Sequence, residues 1–286
     1  MGGQFVETLY SGKVFQGFEF NEILFEAKTP YQAISIYQTD MLGRVLVLDG
    51  VIQTTEADEF IYHEMLTHIP LFSIDGPERI LVVGGGDGGT VREALKHPVK
   101  QIDLVEIDQG VIDSCRTFMP TLNDAGKVFD DPRVNVVVQD AFEYMKNHRG
   151  EYDAILIDST DPIGMAEALY SNKFYQLCFD SLSSGGVISA QDGVVFFQRD
   201  EAASTISKFR ELGLFAGAYT AAVPTYYGGL MTFGISGYNS CVLAPNHDVL
   251  EKRHTSLEGT TRHYSPKVHV ASFVMPPWIK SALDGV

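Results

Sequence analysis

The feature that constrains this chain most is a fivefold alternation of short apolar runs and helix-length segments beginning after Gly76-Pro77. RILVV precedes TVREALKH, QIDLV precedes GVIDSCRTFM, VNVVV precedes AFEYMKNH, DAILI precedes SNKFYQLCFDSL, and GVISA precedes DEAASTISKFREL. Parallel strands need long crossovers, so strand-helix units in series specify a parallel sheet with helices on both faces. The strand runs are nearly continuous in apolar residues, as strands buried on both sides must be. Later β-like runs, AYTAAV, LMTFGIS and SCVLA, are expected to extend the same sheet.

Residues 1–56 have a different texture, with β-rich runs FEFNEILFE, YQAISIYQT and RVLVLDGVIQTT and no helical period. Asp49-Gly50 splits the last run, and a type I′ turn needs positive φ at both central residues, so a hairpin is predicted there. From Glu56 the period becomes helical, with Ile61, Met65, Ile69 and Phe72 three and four residues apart. The expected fold is α/β: a small N-terminal β-stranded domain, residues 1–56, ahead of a doubly wound domain, residues 57–286.

Charge and cysteine usage narrow the function. A net charge of −16 opposes a nucleic-acid or anionic-membrane partner but suits a cationic small molecule. Cys115, Cys178 and Cys241 are odd in number and widely spaced, so they suggest neither a disulfide framework nor a zinc site. The opening MGGQFVETLYSG lacks the basic and apolar regions of a signal peptide, and no apolar run reaches membrane-spanning length. A reduced, cytoplasmic location is expected.

The candidate chemistry sits at strand ends. In RILVVGGGDGGTVREAL, Gly84, Gly86 and their glycine neighbours follow the first buried strand and let the backbone approach a ligand closely. Glu106 lies twenty residues beyond Gly86, where an acid accepts hydrogen bonds from ribose hydroxyls. No GK[ST] follows, and Asp87 sits where a pyrophosphate would be bound, so an adenosine-type ligand is expected rather than a nucleotide phosphate. Asp140 and Asp158 close the third and fourth strands, and Asp161 follows in DSTDP. Each alone reads as a helix cap or a solvated loop acid. Together, outside the carboxyl ends of one sheet, they form an acidic rim suited to a polyamine or a sulfonium-bearing nucleoside. Tyr226 and Tyr227 lie in the late loop AVPTYYGGLMTF, where aromatic walls suit the methylenes and ammonium of an amine.

Two other patterns fail. His63 and His68 in YHEMLTH mimic a zinc-protease motif, but five residues at about 100° each turn them roughly 140° apart, so no metal is expected. No GxSxG elbow is present, and no cysteine stands in a catalytic context.

The segments GRVLVLDGVIQTTEADEFIYHEMLTH, ILVVGGGDGGTVRE, VEIDQGVI, DDPRVNVVVQDAFEY, YDAILIDSTDPIG and AAVPTYYGGLMTF resemble the bacterial spermidine synthases of the polyamine aminopropyltransferase family, from about residue 5 to residue 275. The resemblance implies a Rossmann-like, methyltransferase-type catalytic domain and a homodimer or homotetramer formed through the N-terminal region. It implies aminopropyl transfer from decarboxylated S-adenosylmethionine to putrescine, giving spermidine and methylthioadenosine, with no metal or prosthetic group. Asp158 would be the proton acceptor. Gln32, Gln53, Glu106, Asp140 and Ala141 would contact the nucleoside, and Tyr62, His63, Asp87, Asp161 and Tyr226 would line the amine channel. Ser159 and Thr160 would act through a closing loop. The family usually has DPIGP, whereas this chain has Met165 at the last position, on the adenine side of that gate. Rival readings are an amine methyltransferase of the same fold and a non-enzymatic polyamine-binding regulator.

Overall fold

The computed structural model describes residues 2–10, 12–162 and 164–284. Strands β1 (Gly3–Leu9) and β2 (Val14–Phe20) form an antiparallel pair. A second antiparallel sheet runs in chain order through β3 (Glu22–Lys28), β4 (Ala33–Gln38), β5 (Arg44–Leu48) and β6 (Val51–Thr55). FEFNEILFE is therefore two strands in two sheets, divided at Asn21. The Asp49-Gly50 turn takes φ of 49° and 80°, joining Leu48 to its partner Val51 as predicted.

Helix α1 (Glu59–Ser73) leads into the large sheet, built from β7 (Arg79–Gly84), β8 (Gln101–Glu106), β9 (Val134–Val138), β10 (Tyr152–Asp158), β11 (Leu182–Val194), β12 (Phe215–Ala222) and β13 (Leu230–Gly237). The strand order is β12-β13-β11-β10-β7-β8-β9, and only β13 runs antiparallel to its neighbours. The crossovers carry α2 (Gly89–Ala94), α3 (Gln109–Phe118), α4 (Lys127–Asp130), α5 (Ala141–Met145), α6 (Asn172–Ser181) and α7 (Arg199–Glu211). Three short helices finish the chain: α8 (His247–His254), α9 (Pro266–Ser272) and α10 (Pro277–Asp284).

The alternation of side chains along each strand explains the unbroken apolar runs. Ile80, Val82, Ile102, Leu104 and Leu156 pack under α1 and α2, while Leu81, Val83, Val105, Ile155 and Ile157 pack under α5, α6 and α7. The expected α/β architecture with an antiparallel N-terminal region is what forms. SCVLA departs from expectation: Ser240–Leu243 is a 3-10 turn that seats buried Val242 on the sheet beside Gly237. A short apolar run fits a buried turn as well as a strand, and periodicity does not separate them. No helix among the described residues is long and apolar enough to cross a membrane.

Topology fixes where a ligand goes. From β7 the chain winds outward to β8 and β9, then returns to place β10 and β11 on the other side of β7. The crevice beyond the carboxyl ends of β7 and β10 is thus the topological switch point.

Candidate active site

A cavity of about 480 Å³ opens at that switch point. It is lined by Gln32, Gln53, Tyr62, His63, Gly84, Gly86, Asp87, Glu106, Asp140, Ala141, Asp158, Ser159, Thr160, Asp161 and Tyr226, so the sequence-predicted residues converge on one space. The side chain of Met165 lies outside the described residues. His68, on the same helix as His63, is not in the lining.

Asp158 ends β10 directly opposite Gly84 of β7. Its Oδ1 accepts from the Tyr62 hydroxyl at 2.7 Å and its Oδ2 from Thr90 Oγ1 at 2.6 Å. Gly85, at φ 70°, lies so close that a Cβ there would stand 2.7 Å from Asp158 Oδ2, so the loop needs glycine on both steric and backbone grounds. Burial raises the Asp158 pKa, with the Asp87 charge adding to the rise and His63 opposing it. Burial, then the Asp158 charge, holds Tyr62 well above the usual phenol range, so it remains a donor.

Asp87 follows the glycines and accepts from the Gly89 N–H at 2.8 Å. Burial would raise its pKa, but His63, with Nε2 at 3.4 Å from its Oδ2, acts with the Gly89 N–H and the Arg92 charge to lower it. His63 is only 1% exposed, which disfavours its charge, yet Asp87 and Glu59 raise it well above the usual range. An imidazolium between two carboxylates results.

The other end of the cavity is lined by Glu106, Asp140 and Gln32. Glu106 closes β8, and its Oε1 accepts from the Asp108 N–H at 2.9 Å. Burial, with the Asp108 charge adding to it, lifts its pKa to about 7 despite the backbone N–H groups that favour the carboxylate. Asp140 caps α5 through the Phe142 N–H at 2.8 Å. The bland reading is therefore true of Asp140, and it still faces the cavity. Gln32 reaches in from the turn before β4 and is held by Asp108 Oδ2 at 3.0 Å.

Opposite, the Tyr226 hydroxyl donates to the Gln53 carbonyl at 2.6 Å, and its ring stands edge-on to Tyr62 at 5.9 Å. Ser159 and Thr160 are tied to Tyr170, which hydrogen-bonds Ser159 Oγ and the Thr160 carbonyl. Gln191 Nε2 donates to the Ser159 carbonyl at 2.9 Å and to the Tyr170 hydroxyl at 2.7 Å. Asp161 accepts from Gln198 Nε2 at 3.0 Å, and burial raises its pKa.

Several lining residues were not anticipated. Glu7 and Tyr10 arrive from β1 and the turn after it, Gln16 from β2, and Gln191 and Gln198 from β11 and the turn beyond it. Glu7 is raised chiefly by burial, and Tyr10 is pushed up to about 12 by burial and then by Asp161, Glu7 and Glu201. Gln16 bridges Glu7 Oε2 at 2.6 Å and the Thr225 carbonyl at 3.0 Å. No local pattern could have marked these residues, because strand alternation alone looks the same on a hairpin that touches nothing. Among the described residues, no group of three or more His, Cys, Asp or Glu side chains is placed to hold a metal ion.

A doubly wound sheet with a glycine loop, an acid at the end of the next strand and a buried carboxylate puts this cavity where open α/β sheets bind their ligands, and the comparisons define the class further. Residues 59–244 match the model for the spermine/spermidine synthase domain, and residues 7–56 match that for the spermidine synthase tetramerisation domain. A polyamine aminopropyltransferase of Pectobacterium atrosepticum is 45% identical over 280 residues, covering 97% of this chain and 96% of that protein. One from Yersinia pestis is 41% identical over 281 residues, covering 98% and 94%. A crystal structure of a spermidine synthase with the transition-state analogue AdoDATO superposes with a TM-score of 0.92 at 32% identity, covering 99% of this chain and 95% of that one. The spermidine synthase of Thermotoga maritima gives 0.89 at 31%, covering 98% and 94%. The chain belongs to the spermine/spermidine synthase family and is a transferase enzyme.

Proposed function

We propose that this enzyme transfers an aminopropyl group from decarboxylated S-adenosylmethionine to putrescine, producing spermidine and methylthioadenosine. The observation that carries the reading is the buried Asp158 carboxylate, gripped by Tyr62 and Thr90 on separate oxygens, between the glycine loop and the tyrosine wall. The solved relative bound to a transition-state analogue adds support.

In this reading the adenosine lies along Glu106, Asp140 and Ala141, with Gln32 and Gln53 at its margin and Met165 at the adenine side of the gate. Its sulfonium points to the junction near Asp158. Asp87 takes the donor's terminal ammonium. Putrescine threads the side lined by Tyr62, His63, Tyr226 and Asp161, with Ser159 and Thr160 on the loop that closes it in. An alkylamine with a pKa near about 10.4 is almost wholly protonated at neutral pH. The proton leaves the attacking nitrogen for Asp158 as the lone pair bonds to the carbon next to sulfur. The C–S bond breaks with its electrons on sulfur, yielding an uncharged thioether. Holding both partners in line and accepting the proton are separate contributions, the second typically about 10²–10⁴-fold.

Asp87 also supplies donor selectivity. The α-carboxylate of S-adenosylmethionine would face it at about 5 Å, and at an effective dielectric near 20 the repulsion is about 3 kcal/mol. The decarboxylated donor lacks that carboxylate and is attracted.

Residues 1–56 are assigned to oligomerisation, as a homodimer or homotetramer, and residues 57–286 to catalysis in the cytoplasm. Exposed Val6 and Phe15 on β1 and β2 support an interface there. The test is the mass of the amine after incubation with putrescine and each sulfonium donor. Gain of an aminopropyl unit from the decarboxylated donor is expected. Gain of a methyl group identifies a methyltransferase, and an unchanged amine with retained binding identifies a regulator.

A further inference from the structure

The charge of His63 is supported by Asp87 within the cavity and, from outside it, by a second carboxylate. Its Nδ1 meets Glu59 Oε2 at 2.5 Å, one helical turn earlier on α1. The same Glu59 oxygen accepts from Arg92 Nη2 at 2.9 Å, and Arg92 Nε donates to Glu93 Oε1 at 2.9 Å. Glu59 is 6% exposed and does not line the cavity, and neither does Arg92. The imidazole is wedged against Gly89 so tightly that no Cβ fits there, which fixes the ring with Nε2 toward Asp87.

We propose that Glu59, held by Arg92, is a positioning residue for the transfer reaction: it keeps His63 an imidazolium facing Asp87, and so sets the charge on the two carboxylates, Asp87 and Asp158, that handle the amines. This rests on the aminopropyl-transfer reading. The groups facing His63 and its carboxylate partners are Glu59 and Tyr62 from α1, Asp87 from the glycine loop, Arg92 from α2, Asp158 from β10, Cys115 from α3 and Tyr226 from the loop before β13. Apart from Arg92, His63 is the only cation among them. Without the Glu59 carboxylate the buried ring loses its charged Nδ1 partner and has only Asp87 to set against burial, so that the ring is expected to be neutral at pH 7. Asp87 and Asp158 then face each other uncompensated, and one of them takes up a proton. A protonated Asp158 cannot accept another, so the defect appears at low pH and fades as pH rises.

Glu59→Gln tests this by turnover against pH together with the ¹⁵N shifts of the His63 ring. We expect the acidic limb of kcat to move upward by about one pH unit or more, with activity recovering in alkali, and the ring to become neutral at pH 7. A loss of kcat with an unshifted profile overturns the proposal, as does an imidazolium retained in the variant. The ring readout decides the matter even if the wild type transfers no aminopropyl group, an outcome that sinks the functional reading instead. Should Glu59→Gln fail to fold, Glu59→Asp must show the same shift in smaller measure, because its carboxylate falls a methylene short of Nδ1. A profile superimposable on wild type overturns it.

Discussion

Helix α1 carries two fully buried histidines five residues apart, and their surroundings push their pKa values in opposite directions. His63 looks to the cavity and lies between Glu59 and Asp87, with the Glu59 contact shared by Arg92. His68 looks to the back, where Nε2 meets Glu93 at 2.9 Å and Nδ1 meets His97 Nε2 at 2.8 Å. Glu93 is already matched by Arg92 at 2.9 Å and Lys96 at 2.6 Å. Burial lowers the pKa of both His68 and His97, and the nearby carboxylates, Glu93 first and Glu64 after it for His68, do not reverse it. Equal burial therefore does not decide protonation. The balance of nearby negative charge does: His63 has two carboxylates in contact, and His68 has one.

The comparison predicts that changes at the front alter catalysis with little effect on stability, and changes at the back do the reverse. The largest effect is expected from Asp158→Asn, which should lower kcat by about 10²–10⁴-fold while melting temperature and donor affinity hold. Turnover within tenfold of wild type would leave the front no more catalytic than the back. Glu106→Gln should weaken methylthioadenosine by about 1.5–3 kcal/mol, roughly ten- to a hundredfold in Kd by calorimetry. In the wild type the same affinity should rise as pH increases through about 7, where Glu106 ionises and can accept from the ribose. An affinity flat across that range and unchanged in the variant would move the nucleoside site elsewhere.

A further front effect is selective. Wild type should bind the decarboxylated donor at least about tenfold more tightly than S-adenosylmethionine, and Asp87→Asn should narrow the gap by weakening the former. Equal binding of both donors by wild type would remove Asp87 from donor choice. At the back, His68→Phe should leave kcat within about twofold and lower unfolding free energy by about 1–3 kcal/mol, because His97 and Glu93 each lose a partner. The folded pKa of His68 is depressed, so its contribution is present above the unfolded value near 6.5 and is lost as pH falls through the folded one. The stability gap between wild type and variant should thus shrink in acid, and a gap that widened there would reverse the assignment.

The sequence exposed the front far better than the back. Gly84, Gly86, Glu106, Asp140 and Asp158 were legible because buried parallel strands announce themselves and ligands gather at their carboxyl ends. Asp49-Gly50 was legible because so few residues tolerate two successive positive φ values. The turn at Ser240–Leu243 was not, since its apolar residues carry no period of their own. Glu7, Gln16 and Arg92 were hidden for another reason: their roles depend on partners brought near only by folding. Gln16 meets the Thr225 carbonyl 209 residues away, and Arg92 meets Glu59 across the packing of α2 on α1. The helical angle separating His63 from His68 was readable and rightly argued against a shared face, but the charge of each ring was not, because it belongs to the neighbours.

The most direct test is ¹⁵N NMR of the wild-type imidazoles at pH 6.5, where an unperturbed histidine is about half protonated. The account predicts that His63 carries protons on both ring nitrogens while His68 is a neutral ring. Two rings in the same protonation state would contradict it.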